Sequence, residues 1–106
     1  MLFLEKTKSG EEVEVGIANE EAFTEYWLKI AHKNSLDFII DMQVGYYINF
    51  SNLPDIIREL KLMKYAFFNE EGLNIEARDF YCSRIERILE KIEPEIDNPD
   101  VEGFVA

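Results

Sequence analysis

Two residues of the chain could act as a nucleophile–base pair: one histidine, His32, and one cysteine, Cys82. Such catalysis needs the two side chains within hydrogen-bond reach and a third group orienting the base. At roughly 100° per residue, His32 lies about 140° around its helix from Trp27, so it points away from the apolar face. Cys82 flanks the apolar stripe of a later helix and reads as a small buried hydrophobe. A zinc site, which takes several His or Cys ligands, lacks the residues for it. Carboxylates are the abundant type, with 22 Asp and Glu against 11 Lys and Arg. On strands at ~3.3 Å per residue, Asp37 and Asp41 would stand about 13 Å apart, and Glu12 and Glu14 about 7 Å. Neither pair encloses a hard cation by itself. Acid pairs at glycosidase spacing arise by chance in so acidic a chain and carry no signal. The glycines at positions 10, 16, 45, 72 and 103 are scattered and form no phosphate-cradling loop. No enzymatic activity, cofactor or metal is expected.

Apolar periodicity sets the elements that carry these residues. Leu2 to Lys8 reads as a strand ending at the turn pair Ser9-Gly10. Glu11 to Ile17 reads as its hairpin partner, with Val13, Val15 and Ile17 alternating against Glu12, Glu14 and Gly16. Asn19 is placed to cap a helix reaching about Asn34, whose apolar face is Phe23, Trp27, Ile30 and Ala31. Leu36 to Met42 and Val44 to Phe50 read as strands three and four; Asp37 and Asp41 then share one face of strand three, and Tyr47 shares a face with Gly45 and Asn49. Asn52, with Pro54 behind it, starts a second helix with the stripe Ile56, Leu60, Met63, Phe67. Asn74 starts a third with the stripe Tyr81, Ile85, Ile88, Ile92, ending before Pro94. The expected fold is α+β: a four-stranded, mostly antiparallel sheet in the order β-β-α-β-β-α-α, with helices on one face. Residues 1–93 are expected to form one domain and residues 94–106 an acidic C-terminal tail.

At 106 residues, 47% of them hydrophobic, the chain can bury a core. Its net charge of −11 excludes a nucleic-acid binder, which needs clustered cations, and an anionic membrane surface as a partner. The surplus is localised. Residues 10–28 carry six acids (Glu11, Glu12, Glu14, Glu20, Glu21, Glu25) and no base, residues 93–106 carry five and no base, and the remainder balances. A localised field steers a cationic partner. Met1-Leu2-Phe3-Leu4 is too short for a secretion signal, and no run approaches the ~20 apolar residues of a membrane span, so a cytoplasmic protein is expected.

The segment Glu11-Glu12-Val13-Glu14-Val15, the helix start Asn52-Leu53-Pro54-Asp55 and the acidic tail together resemble, at the level of general character, the small acidic immunity proteins of bacterial toxin systems. That resemblance implies a protein that blocks a basic, nuclease-like toxin without catalysis. The expected contact residues are Glu12, Glu14, Asp37, Asp41 and Tyr47, on one open sheet face. Two other readings remain open: a self-associating interaction domain, dimeric through the helix of Ile56, Leu60, Met63 and Phe67, and an acidic mimic of nucleic acid. Direct binding of nucleic acid or membrane is not expected.

Overall fold

The computed structural model describes all 106 residues. The strands are β1 (Leu2–Lys6), β2 (Val13–Val15), β3 (Tyr46–Asn49) and β4 (Glu102–Val105). The helices are α1 (residues 20–33), α2 (Asp37–Asp41), α3 (Leu53–Phe68) and α4 (Ile75–Ile92). The sheet is antiparallel throughout, in the order β2-β1-β4-β3, and the four helices pack on one of its faces. This is the expected α+β class.

The apolar alternation of the strands supplies one side of the core. Val15, Leu2, Val105 and Tyr46 form one inward row across the sheet; Val13, Leu4, Gly103 and Ile48 form the next. Gly103 is indispensable to the second row, because a Cβ there would lie 2.1 Å from the Phe3 carbonyl oxygen and 2.9 Å from Leu4 Cδ2. The helices supply the other side. The stripes Ile56, Leu60, Met63, Phe67 and Tyr81, Ile85, Ile88, Ile92 are buried. Phe67 joins three helices through its ring: its centroid is 5.4 Å from Trp27 of α1 and 4.9 Å from Tyr81 of α4. Asn19 and Asn74 cap α1 and α4 as the sequence predicts, their Oδ1 atoms accepting from Ala22 N and Ala77 N at 2.8 Å each.

Within α1, Phe23–Trp27 widens to a π-helical turn, in which Leu28 N–H donates to the carbonyl of Phe23. The turn keeps both Phe23 and Trp27 buried and their rings stacked at 5.8 Å. α1 then ends in a Schellman turn. Leu36 N–H reaches the Ala31 carbonyl at 2.9 Å, Ser35 N–H reaches that of His32 at 3.2 Å, and Ser35 takes the left-handed conformation with φ 56°.

Two expectations are corrected. Leu36 to Met42 is not a strand: residues Asp37–Asp41 are helical. Leu36, Ile39 and Met42 are the buried positions, a spacing of three that a helix and not a strand places on one face. No neighbouring side chain caps α2; the carboxylate comes from α3. Glu59, almost fully buried, receives Phe38 N–H at 2.9 Å and Ile39 N–H at 3.3 Å on Oε1. The second correction concerns residues 94–106, which are not an appended tail. Their last strand, β4, lies inside the sheet between β1 and β3, because Gly103 and Val105 complete the inward rows. The observed order is therefore β-β-α-α-β-α-α-β.

Desolvation raises the Glu59 carboxyl above its ordinary value, outweighing the two amides that lower it. A carboxyl raised by folding contributes stability that is full below its unfolded value and lost as pH rises through its folded value. Glu59→Gln keeps an acceptor for both amides and carries no charge. Its stability relative to the native chain is therefore expected to improve from pH 4 to pH 7 in urea denaturation. Glu59→Ala strands two amides and is expected to cost about 1–3 kcal/mol at either pH. Gly103→Ala is expected to cost about 1–3 kcal/mol or more, because backbone and not a flexible side chain would have to move; the same denaturation assay measures it.

Candidate partner-binding surface

The face of the sheet away from the helices carries the residues that alternate with the inward rows. Glu14 of β2 lies opposite Phe3 of β1, Phe3 opposite Phe104 of β4, and Phe104 opposite Tyr47 of β3. One row thus crosses all four strands, about 14 Å from end to end at ~4.8 Å per strand. The Phe3 and Phe104 rings stack at 4.7 Å with 23° between their planes, and Tyr47 is 82% exposed. In the next row Lys6 pairs with Glu102 at 3.0 Å beside Asn49, which holds the Lys6 ammonium above its ordinary pKa. The open face is an aromatic strip with a carboxylate at its β2 end.

Beyond that end lie the acids of residues 11–25. Glu11 and Glu12 sit on the β1–β2 connection, Glu14 on β2, and Glu20, Glu21 and Glu25 on the first turns of α1; all six are exposed. The ion pairs of the molecule involve none of them. Glu20, Glu21 and Glu25 line one shallow depression with Thr24. The backbone beneath is ordered by specific bonds: Thr7 Oγ1 donates to the Glu11 carbonyl at 2.6 Å, and Gly10, at φ +80°, turns the chain into β2.

The second acidic segment is different. Glu93 pairs with Lys61 at 3.6 Å, Asp97 with Lys8, and Glu102 with Lys6. The Lys8 contact holds the Asp97 carboxyl below the usual carboxylate value. Glu95 is buried, accepting the Lys8 backbone N–H and, at 3.4 Å, the side-chain amide of Asn98. Glu95, Asp97 and Glu102 fasten residues 95–102 to β1 and the turn after it, and Glu93 ties the end of α4 to α3. They are tethers, and only Asp100 of the five makes neither an ion pair nor a bond to a buried donor.

Of the five residues expected on one open face, Glu14 and Tyr47 are the two ends of the aromatic row, and Glu12 precedes β2 at the acidic end. Asp37 and Asp41 are not on that face. They ride α2 on the helix side, where Tyr46, an inward residue, donates its hydroxyl to the Phe38 carbonyl at 3.0 Å. Burial, then the charges of Glu59 and Asp41, drive the Tyr46 hydroxyl far above its ordinary pKa. Phe3 and Phe104 were missed from the sequence, although Phe3 alternates with buried Leu2 and Leu4. Phe104 could be placed only once β4 was known to be a strand.

The residues able to do other chemistry stay apart from this surface. His32 is exposed near the end of α1. Cys82 is half-buried on α4 with Sγ 3.6 Å from the Lys64 carbonyl, and burial pushes its thiol up. No three His, Cys, Asp or Glu side chains gather around a common point that would hold a metal. No helix is long and apolar enough to cross a membrane. On α3 the stripe Ile56, Leu60, Met63, Phe67 is 0% exposed, so a dimer through this helix could use only its outer ridge, Leu62, Tyr65 and Phe68. No family model, curated protein or solved structure matches the chain.

Removing the Glu95 carboxylate strands the Lys8 amide and frees the segment that delivers β4. Glu95→Ala is expected to destabilise by about 1–3 kcal/mol. It should also speed hydrogen exchange at residues 102–105 ahead of α3, measured by exchange mass spectrometry.

Proposed function

We propose that the protein is a cytoplasmic, non-enzymatic binding protein of the immunity type, which neutralises a basic, nuclease-like protein toxin by covering its cationic site. The observation that carries this reading is the contrast between the two acidic segments. One is largely consumed in tethers, while the other leaves six carboxylates without cations on ordered backbone next to an aromatic strip of half-buried Phe3 and Phe104 and exposed Tyr47. Unpaired acids steer a cationic partner during encounter, and aromatic side chains supply the contact area that holds it. Glu12 and Glu14 would face the partner's Lys and Arg side chains, with Phe3, Phe104 and Tyr47 as anchors. Asp37 and Asp41 drop out of the contact set.

A second reading is favoured by the outer ridge of α3, where Tyr65 and Phe68 are 71% and 64% exposed: a self-associating interaction domain. Sedimentation separates the two, since a strict monomer leaves the ridge without a self-association role.

The test is capture of a basic partner on the immobilised protein. Association is expected to weaken steadily between 50 mM and 500 mM salt, because exposed charges are screened over about 8–10 Å. Glu12→Lys combined with Glu14→Lys is expected to slow association by about tenfold or more at low salt while leaving the melting temperature unchanged. Binding that is flat with salt and indifferent to both reversals would sink the proposal.

A further inference from the structure

We propose that the outer edge of β3 is a strand-addition site, closed in the free protein by the side chain of Asn52, and that it accepts an extended apolar segment flanked by Lys or Arg. β3 is an edge strand, so one side of its backbone has no neighbouring strand. On that side the Asn52 amide donates from Nδ2 to the Tyr47 carbonyl at 2.8 Å and accepts the Asn49 N–H on Oδ1 at 2.9 Å. One residue of a parallel strand lying opposite Ile48 makes the same two bonds, its own N–H to the carbonyl before Ile48 and its own carbonyl from the amide after it. The Asn52 side chain is a one-residue stand-in for a missing strand.

Its position makes this more than an accident of a turn. Asn52 is the N-cap residue of α3, and its side chain makes no capping bond to that helix. A residue of a strongly capping type has been diverted to the sheet edge. Two of the usual guards are absent from this edge, although β3 is itself only four residues long. Residues 42–54 contain no charged residue, and β3 contains no proline. Charge, proline or a bulge is what normally keeps other strands off. Val44, Tyr47 and Phe50 stand exposed beside it.

The occupant follows from the surroundings. The stand-in has parallel geometry, whereas a two-fold pairing of two β3 edges by strand addition is antiparallel; a second copy is therefore not the fitting partner. The edge is neutral and apolar, which calls for alternating apolar side chains. Exposed Asp41 precedes it, on a chain of net charge −11, which calls for cations on the segment; Asp55 beyond it is paired with Arg58 at 3.8 Å. This site lies at the opposite edge of the sheet from β2, and it does not depend on the toxin-blocking reading.

Asn52→Ser removes the bridge: serine keeps a small polar side chain before α3 but cannot span Tyr47 and Asn49. The probe is the blocked heptapeptide Lys-Val-Thr-Val-Thr-Val-Lys, titrated into nitrogen-15-labelled protein by NMR. In the serine variant the Asn49 amide is expected to exchange faster with solvent. The peptide is expected to bind about tenfold tighter than to the native chain, the value of the edge bonds it no longer has to displace. Its largest shifts should fall at Tyr47 and Asn49, and a Glu-flanked version should bind more weakly. Equal affinity for both proteins, shifts centred elsewhere, or dimerisation of the variant without peptide binding would each overturn the proposal. If the serine variant fails to fold, Asn52→Asp decides in the same way, since it accepts from Asn49 but cannot donate to Tyr47.

Discussion

The insertion of β4 between β1 and β3 is the constraint on which the rest of the molecule depends. It joins the first and last strands of the chain, with Leu2 opposite Val105 and the Met1 ammonium donating to the Ala106 carbonyl at 2.8 Å. Without it the sheet would be a two-stranded hairpin and a stray strand, neither stable alone. With it, the inward rows are continuous, Phe104 stacks on Phe3, and β3 becomes an edge. Both surfaces assigned a binding role exist only because this strand is in place.

Carboxylates serve three distinct ends in this protein, and their surroundings decide which. Glu59 is withdrawn from water to hold the amides of α2, and its raised pKa is the cost of that withdrawal. Glu95 and its neighbours hold β4 in register with β1 through a buried backbone contact and two lysine pairs. The acids of residues 11–25 touch no cation and keep their full field in solvent. Net charge alone therefore overstates the unpaired acidic surface. Part of the −11 is structural, and the six acids of residues 11–25, at one end of the sheet, form no ion pair.

The elements whose evidence is local were legible. The β1–β2 hairpin follows from period-2 alternation around Ser9-Gly10, and α3 and α4 from stripes at helical steps; Asn19 and Asn74 cap where their side chains can reach an amide three residues on. The α2 segment was misread because Asp-Phe-Ile-Ile-Asp fits both periods over so short a span. The tie is broken by Glu59, a residue more than a turn into another helix, which no local window connects to Phe38. β4 was missed because four residues, one of them a glycine, make a weak strand signal next to five acids. Of the proposed contact residues, Glu12, Glu14 and Tyr47 were found by alternation, and Asp37 and Asp41 were lost with the misread strand.

By itself the sequence determined the class of the fold, most of its helices, the first hairpin and the acid-rich composition, since each rests on spacing within a few turns of chain. Only the tertiary structure decided which acids are free and which are bound, and which aromatics share a face. Those outcomes are set by partners far away along the chain, and hydrogen bonds and ion pairs at such separation leave no period in the sequence to read.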